Sequence, residues 1–240
     1  MSKILIKYAT RKRPQYFLKA ITNIMSTIHD QNYEILVSID NDDFTMQSEA
    51  IKNCIASNPK IKCFSGPHES KVAAINRDMD KSGDWDILVN MSDDFFFVQQ
   101  GWDNTIRQRV KDVWGQSLDF YAHFDDGYVH DQLCTMSIIG RDYYNRDGYI
   151  YYPGYKSFSC DAESYYVAMM RGRYHYFPEV LAKHQHPANS PAPNDELYRA
   201  NSLHTDHDVK LYFERLRRFF DEPNGHEILK VRPELQKFNL

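Results

Sequence analysis

The sequence predicts an α/β fold, a mostly parallel central sheet flanked by helices, and three observations carry that prediction. Through residues 1–100, short apolar runs alternate with amphipathic runs of helical period. The fourth apolar run, "DWDILVNMS", is almost unbroken, as expected of a central parallel strand buried on both faces. Polar residues follow the first, second and fourth runs: Thr10, Asp40, and the adjacent Asp93 and Asp94. In open parallel sheets ligands bind beyond the carboxyl ends of the strands, so those residues mark one functional rim.

Taken in order, "KILIKYA" reads as a buried strand, and Pro14 begins the amphipathic helix "PQYFLKAITNIMSTI". "YEILVSID" is a second strand and "MQSEAIKNCIASN" a second helix, stopped before Pro59. "KIKCFS" is a short third strand. "KVAAINRDMDKSG" reads as a third helix with Gly83 just past its end, where a left-handed cap is common. After the fourth strand and Gly101, "WDNTIRQRVKDVW" is a helix, and "LDFYAHFDD", "QLCTMSIIG" and "YIYYPG" read as tyrosine-rich strands or loops. "DAESYYVAMMRGR" is another helix, "YHYFPEVLAKHQHP" a strand leading to a polar rim, and "DVKLYFERLRRFF" a final amphipathic helix. The linker-like stretch is "ANSPAPN", residues 188–194.

Composition excludes several classes. No apolar stretch approaches the roughly 18 residues of a membrane span, and the first strand begins almost at Met1, so the sequence reads as a soluble, cytoplasmic protein. A net charge of −4 argues against a globally basic nucleic-acid binder. The 4 cysteines lack CxxC spacing and read as free thiols rather than as a zinc site or a disulfide framework. The 17 tyrosines and 14 phenylalanines suit either sugar or base stacking or ordinary sheet packing.

Six segments in order, "YATRKRP", "SIDNDD", "KVAAINRDMDKSGDWDILVNMSDD", "QGWD", "SCDAE" and "HQHP", resemble a GT-A glycosyltransferase of the large family 2 type. The resemblance covers residues 3–187. It implies a Rossmann-like GT-A domain over residues 1–187, with residues 1–100 holding a nucleotide-sugar and residues 101–187 the acceptor. Residues 188–240 would form a linker and a helical extension packed on the same domain. The family's DxD motif stands here as Ser92, Asp93 and Asp94, with serine replacing its first acid. The resemblance implies Asp94 as a direct metal ligand and Asp93 as a contact to the ribose or to a metal-bound water. It maps Thr10 and Arg11 onto base contacts, Asp40 onto the acceptor of the uracil imide hydrogen, and Asn76 onto a position near the donor. Arg13 and Lys71 would offset phosphate charge. Asp161 stands at the family's catalytic base, with Glu163 as a fallback.

The chemistry fits those residue types. A departing nucleoside diphosphate gathers negative charge, which a divalent cation stabilises. Carboxylate and imidazole suit such a cation, with manganese expected ahead of magnesium. His184 and His186 alternate by two, so on an extended segment both face one side and either could complete the metal shell. An acceptor hydroxyl needs a base in the transition state, and attack from the face opposite the leaving group inverts the anomeric centre. Ser159 or Asp161 could instead cap the following helix.

The activity implied is transfer of a hexosyl or pentosyl unit from a UDP-sugar to an acceptor hydroxyl, on a glycan, lipid-linked oligosaccharide, protein or modified DNA base. Arg215, Arg217 and Arg218 on the last helix offer a DNA phosphate contact or a solvated face. Two other classes stay open. A nucleotidyltransferase also uses strand-end carboxylates, although "TRKRPQ" lacks the glycines of a phosphate loop. A non-catalytic sugar-binding module would use the tyrosines but has no need of the acid pair.

Overall fold

A computed structural model describes residues 1–185 and 195–233; His186 and residues 188–194 lie outside the described residues. The first half follows the predicted alternation: β1 (Ile4–Ala9), α1 (Pro14–Thr27), β2 (Tyr33–Asp40), α2 (Glu49–Ala56), β3 (Ile61–Gly66), α3 (Lys71–Asn76) and β4 (Ile87–Met91). Then come β5 (Phe95–Phe97), α4 (Trp102–Trp114), β6 (Tyr121–Asp125), β7 (Ser137–Gly140), α5 (Arg141–Asp147), α6 (Cys160–Met170), β8 (Tyr174–Val180) and β9 (Ala182–His184). α7 (Glu196–Ser202), α8 (Thr205–Leu216) and α9 (Ile228–Val231) complete the described chain.

Seven strands form one sheet in the order β3-β2-β1-β4-β7-β6-β8. β1 pairs in parallel with β2 and β4, β2 with β3, and β6 with β8, while β7 runs antiparallel to β4 and β6. The apolar runs of the central strands follow from burial on both faces. Ile4, Ile6 and Tyr8 of β1 pack with Phe17, Ile21 and Ile24 of α1. Leu5, on the opposite face, joins Val72 and Ile75 of α3 and Tyr155. Pro14 sits in the first turn of α1, where its fixed φ favours the helix and its missing N–H costs nothing.

The "QGWD" segment is an anchor. Gly101 adopts φ +69, Trp102 is fully buried and stacks on Phe97 with ring centroids 3.7 Å apart, and Asp103 accepts the His29 and Asp30 amides at 3.0 Å each. These contacts tie α4 to the loop before β2.

Two predicted details differ. α3 ends at Asn76, well before Gly83, because Asp78 takes the left-handed conformation (φ 68), which aspartate tolerates better than most residues. The Asp78 carboxylate there accepts from Ser38 and Lys81, each at 2.7 Å. "YIYYPG", read as a strand or a loop, is a loop. The helix predicted to run through Phe220 stops at Leu216: Phe219 and Phe220 have positive φ (50 and 53), which turns Phe220 inward against Val167 and Leu216. It is also not the last helix, since α9 follows.

Candidate active site

A cleft of about 220 Å³ opens over the carboxyl ends of β1, β2 and β4. Thr10, Arg11, Arg13, Asp40, Lys71, Asp93, Asp94, Asp161 and His184 all line it, as the sequence led us to expect; Asn76 and Glu163 do not.

β4 ends at Met91, and Ser92 to Asp94 form a tight turn closed by the Phe95 amide on the Ser92 carbonyl at 3.2 Å. The chain leaves this turn as β5, which pairs antiparallel with β9 so that Phe95 lies opposite His184. Their rings stack at 4.1 Å, and His184 Nε2 comes 3.5 Å from Asp94 Oδ1. The Ser92 and Tyr198 hydroxyls also donate to the Asp94 carboxylate. Burial works against the charge on Asp94, yet His184 and these hydroxyls outweigh it and hold the carboxyl well below the usual range. A carboxylate and an imidazole meeting in a cleft suit a divalent cation that takes its other ligands from phosphate oxygens and water. Among the described residues, no group of three or more His, Cys, Asp and Glu side chains could hold a metal by protein ligands alone.

Asp93 faces the other way. Its carboxylate accepts from Thr10 Oγ1 and from Arg13 Nη1, both at 2.8 Å. Burial pushes its pKa up to about 6 against the pull of the Arg13 guanidinium with which it is paired. Asp40, at the end of β2, is surrounded by donors: Arg11 Nη1 at 3.0 Å and His68 Nδ1 at 2.8 Å on one oxygen, and Arg77 Nη2 at 3.4 Å on the other. Arg11 also grips Asp42 with both terminal nitrogens, at 2.5 and 2.9 Å. The strand-end acids thus sit in a cationic frame.

Lys71 opens α3 behind the cap Ser70, whose Oγ accepts the Ala73 amide at 3.1 Å. Asn76 departs from its expected place near the donor. Its Nδ2 donates to the Tyr151 carbonyl at 2.7 Å, and its Oδ1 accepts the Ile150 and Tyr151 amides at 2.9 and 3.1 Å, so the whole amide is spent clamping that loop.

Asp161 lies in the first turn of α6 and borders the cleft. The capping reading of Ser159 fails: Ser159 stands at the cap position with φ +59 and its side chain makes no cap hydrogen bond. Asp161 is itself inside the helix, where its Oδ1 accepts the Ala162 amide at 2.9 Å. Glu163 is the clearest correction. Two residues along a helix is a rotation of roughly 200°, so Glu163 points away from the face that carries Asp161. It is 3% exposed, accepts the Tyr155 hydroxyl at 2.7 Å, and is gripped by Arg215 Nε and Nη2 at 2.8 and 2.7 Å. Arg215 is therefore buried and stacked 3.5 Å over the Tyr152 ring, while Arg217 and Arg218 are exposed. The three arginines do not share a face for DNA phosphates.

Sequence reasoning missed α7, which brings Leu197, Tyr198 and Asn201 to the cleft. The Asp195 carboxylate takes Arg13 Nε and Nη2 at 2.8 and 2.9 Å, Glu196 takes Lys12 Nζ at 2.7 Å, and the Arg13 guanidinium lies 4.4 Å over the Tyr198 ring. The available signal was Asp195, three residues before Tyr198, whose amide it accepts at 3.1 Å as a helix cap.

No protein-family model matches the sequence, and no curated protein matches it. Solved structures do. The chain superposes with a TM-score of 0.67 on the mannosyltransferase PcManGT from Pyrobaculum calidifontis, solved in complex with GDP-Man and Mn2+. The two are 13% identical over 90% of this chain and 64% of that one. TarS of S. aureus superposes with a TM-score of 0.60 at 9% identity, over 90% of this chain and 40% of that one. The chain thus spans less than two thirds of the length of either. At these identities the likeness establishes the fold, which is GT-A.

Proposed function

We propose that this GT-A chain is a glycosyltransferase that moves a sugar from a nucleotide-sugar to an acceptor hydroxyl. The observation that carries the reading is a single cleft at the strand ends in which Asp94 meets His184 and which Asp161 also borders. The mannosyltransferase that shares the fold binds GDP-Man and Mn2+, which supports a nucleotide-sugar donor and a divalent cation here. Asp94 and His184 are the residues that would hold the cation, manganese before magnesium. When bound it would offset the charge of the leaving diphosphate.

The chain's own groups supply the rest. Lys71 would offset phosphate charge, as would Arg13 if a diphosphate displaced part of its pairing with Asp93 and Asp195. Asp40 accepts the ring N–H of the base, and we assign that base as uracil; Thr10 and Arg11 shape the same end of the cleft. Asp93 holds Thr10 and Arg13 in place and would meet the ribose or a metal-bound water. Asp161 takes the proton from the acceptor hydroxyl as the new bond forms, on the face opposite the leaving group, and the anomeric centre inverts. We take a glycan hydroxyl as the acceptor; Arg215, committed to Glu163, offers no phosphate contact to DNA.

The test couples binding to transfer. Titrating UDP and GDP with and without Mn2+ should show metal-dependent binding, tighter for UDP; tighter GDP binding would reassign the base. Asp161→Asn should cut transfer by about 10²- to 10⁴-fold with the UDP dissociation constant nearly unchanged. Transfer at the wild-type rate would remove Asp161 from the mechanism.

A further inference from the structure

The loop that delivers Asp161 is held by a carboxylate from outside the sheet. Asp208, in the first turn of α8, is 0% exposed. Its Oδ1 accepts the Lys156 amide at 2.9 Å, and its Oδ2 accepts the Ser157 and Phe158 amides at 2.7 and 2.8 Å. Three successive backbone N–H groups wrapped around one carboxylate form an anion nest, and here the anion is a side chain of the same protein. Burial opposes the charge on Asp208, but His207, whose Nδ1 lies 2.9 Å away, and the three amides outweigh it and lower its pKa.

The position of the nest gives it meaning. The residue after the wrapped segment is Ser159, a non-glycine residue at φ +59, and α6 begins immediately beyond it with Cys160 and Asp161. A left-handed serine is strained and persists only where its surroundings determine it. The same segment is tied on its other side to α3, where the Val72 amide donates to the Lys156 carbonyl at 3.1 Å, one residue from Lys71. α8 is in turn fixed to α6 by the Arg215–Glu163 pair.

We propose that Asp208 is the positioning residue for Asp161: by gathering the amides of Lys156, Ser157 and Phe158 it sets the backbone that aims the Asp161 carboxylate into the cleft. This rests on Asp161 being the base that accepts the acceptor proton. Replacing the carboxylate by an amide leaves one side of the nest facing a donor, so the segment relaxes and Asp161 loses its aim while the donor residues on β1, β2 and β4 stay in place.

The experiment compares Asp208→Asn, Asp161→Asn and the double variant, reading the turnover number for sugar transfer beside the UDP dissociation constant and the thermal midpoint. Asp208→Asn should lower turnover by about 10- to 100-fold with UDP affinity within about twofold of wild type, and the double variant should be no slower than Asp161→Asn alone, since residues acting as a unit are non-additive. A merely structural role would lower the thermal midpoint and leave the turnover of the folded fraction unchanged. Wild-type turnover in Asp208→Asn, or losses that multiply in the double variant, overturns the inference. If Asp208→Asn does not fold, Asp208→Glu keeps the charge but moves it by one methylene, and the same comparison applies. Failure of both to fold makes Asp208 a folding residue and also overturns the inference. The underlying reading fails separately: an Asp161→Asn variant that transfers at the wild-type rate removes the base whatever Asp208 does, whereas a slow Asp161→Asn beside an unimpaired Asp208→Asn removes only the positioning role.

Discussion

At Asp94 three side chains, Ser92, Tyr198 and His184, already press on one buried carboxylate, and the proposed cation would make opposite demands on two of them, His184 and Tyr198. His184 would serve that cation as a second ligand, its ring being already stacked on Phe95 beside Asp94. Asp94→Asn should therefore remove the manganese-dependent part of UDP binding and abolish transfer, leaving the fold intact at this rim position. His184→Ala should weaken the same binding by roughly 10- to 100-fold. Calorimetric titration with and without Mn2+ reads both, and unchanged metal dependence in the two variants would take the cation away from this pair. Tyr198 behaves oppositely, since its hydroxyl occupies an oxygen that a cation would use. A hydrogen bond to a charged group is worth about 1.5 kcal/mol or more, so Tyr198→Phe should tighten Mn2+ binding in the presence of UDP by roughly 10-fold or more. Weaker binding would show that the hydroxyl supports the loaded site instead.

At the scale of elements, α6 divides two acids by helical geometry alone. One face carries Asp161 to the cleft and the other carries Glu163 into a buried pair with Arg215 of α8. Removing one member of such a pair leaves an uncompensated charge in the interior and costs about 3 to 5 kcal/mol. Glu163→Gln should lower the urea midpoint accordingly, with the folded fraction still binding UDP at wild-type affinity. A variant of normal stability that has lost transfer would return Glu163 to the chemistry. β5 shows how a short element places a long-range contact: three phenylalanines have too little length to announce a strand, yet their pairing with β9 is what carries His184 across to Asp94.

Across the whole molecule, the parallel half was legible in the sequence because two-sided burial demands unbroken apolar runs, and the strand-end acids were legible because topology sends them to one rim. Asp94, His184 and Asp161 followed from that logic together with the family resemblance. What was hidden depends on where chains meet. Asn76 is an ordinary helix-end residue until the Tyr151 loop folds against it, Arg215 reads as a surface charge until Glu163 is found beneath it, and α7 follows a stretch rich in proline that hides its start. Lys7 is similar: a charge in an apolar run, explained only by the Ser38 hydroxyl that its amine meets at 2.5 Å and by the burial that lowers its pKa to about 7. The clamp at Asn76 and the Val72–Lys156 bond have a kinematic consequence. They join α3 to the stretch of chain that leads into α6, so Lys71 and the backbone before Asp161 are expected to move together. On the proposed function, shape change is then expected of α7, whose contacts to the rim include polar and cation–aromatic ones on Lys12, Arg13 and Asp94. Hydrogen exchange should then show the Ile150 and Tyr151 amides protected with α3 in free and UDP-loaded protein alike, while protection in α7 changes on loading; a change shared equally by both segments would mean that the halves do move apart.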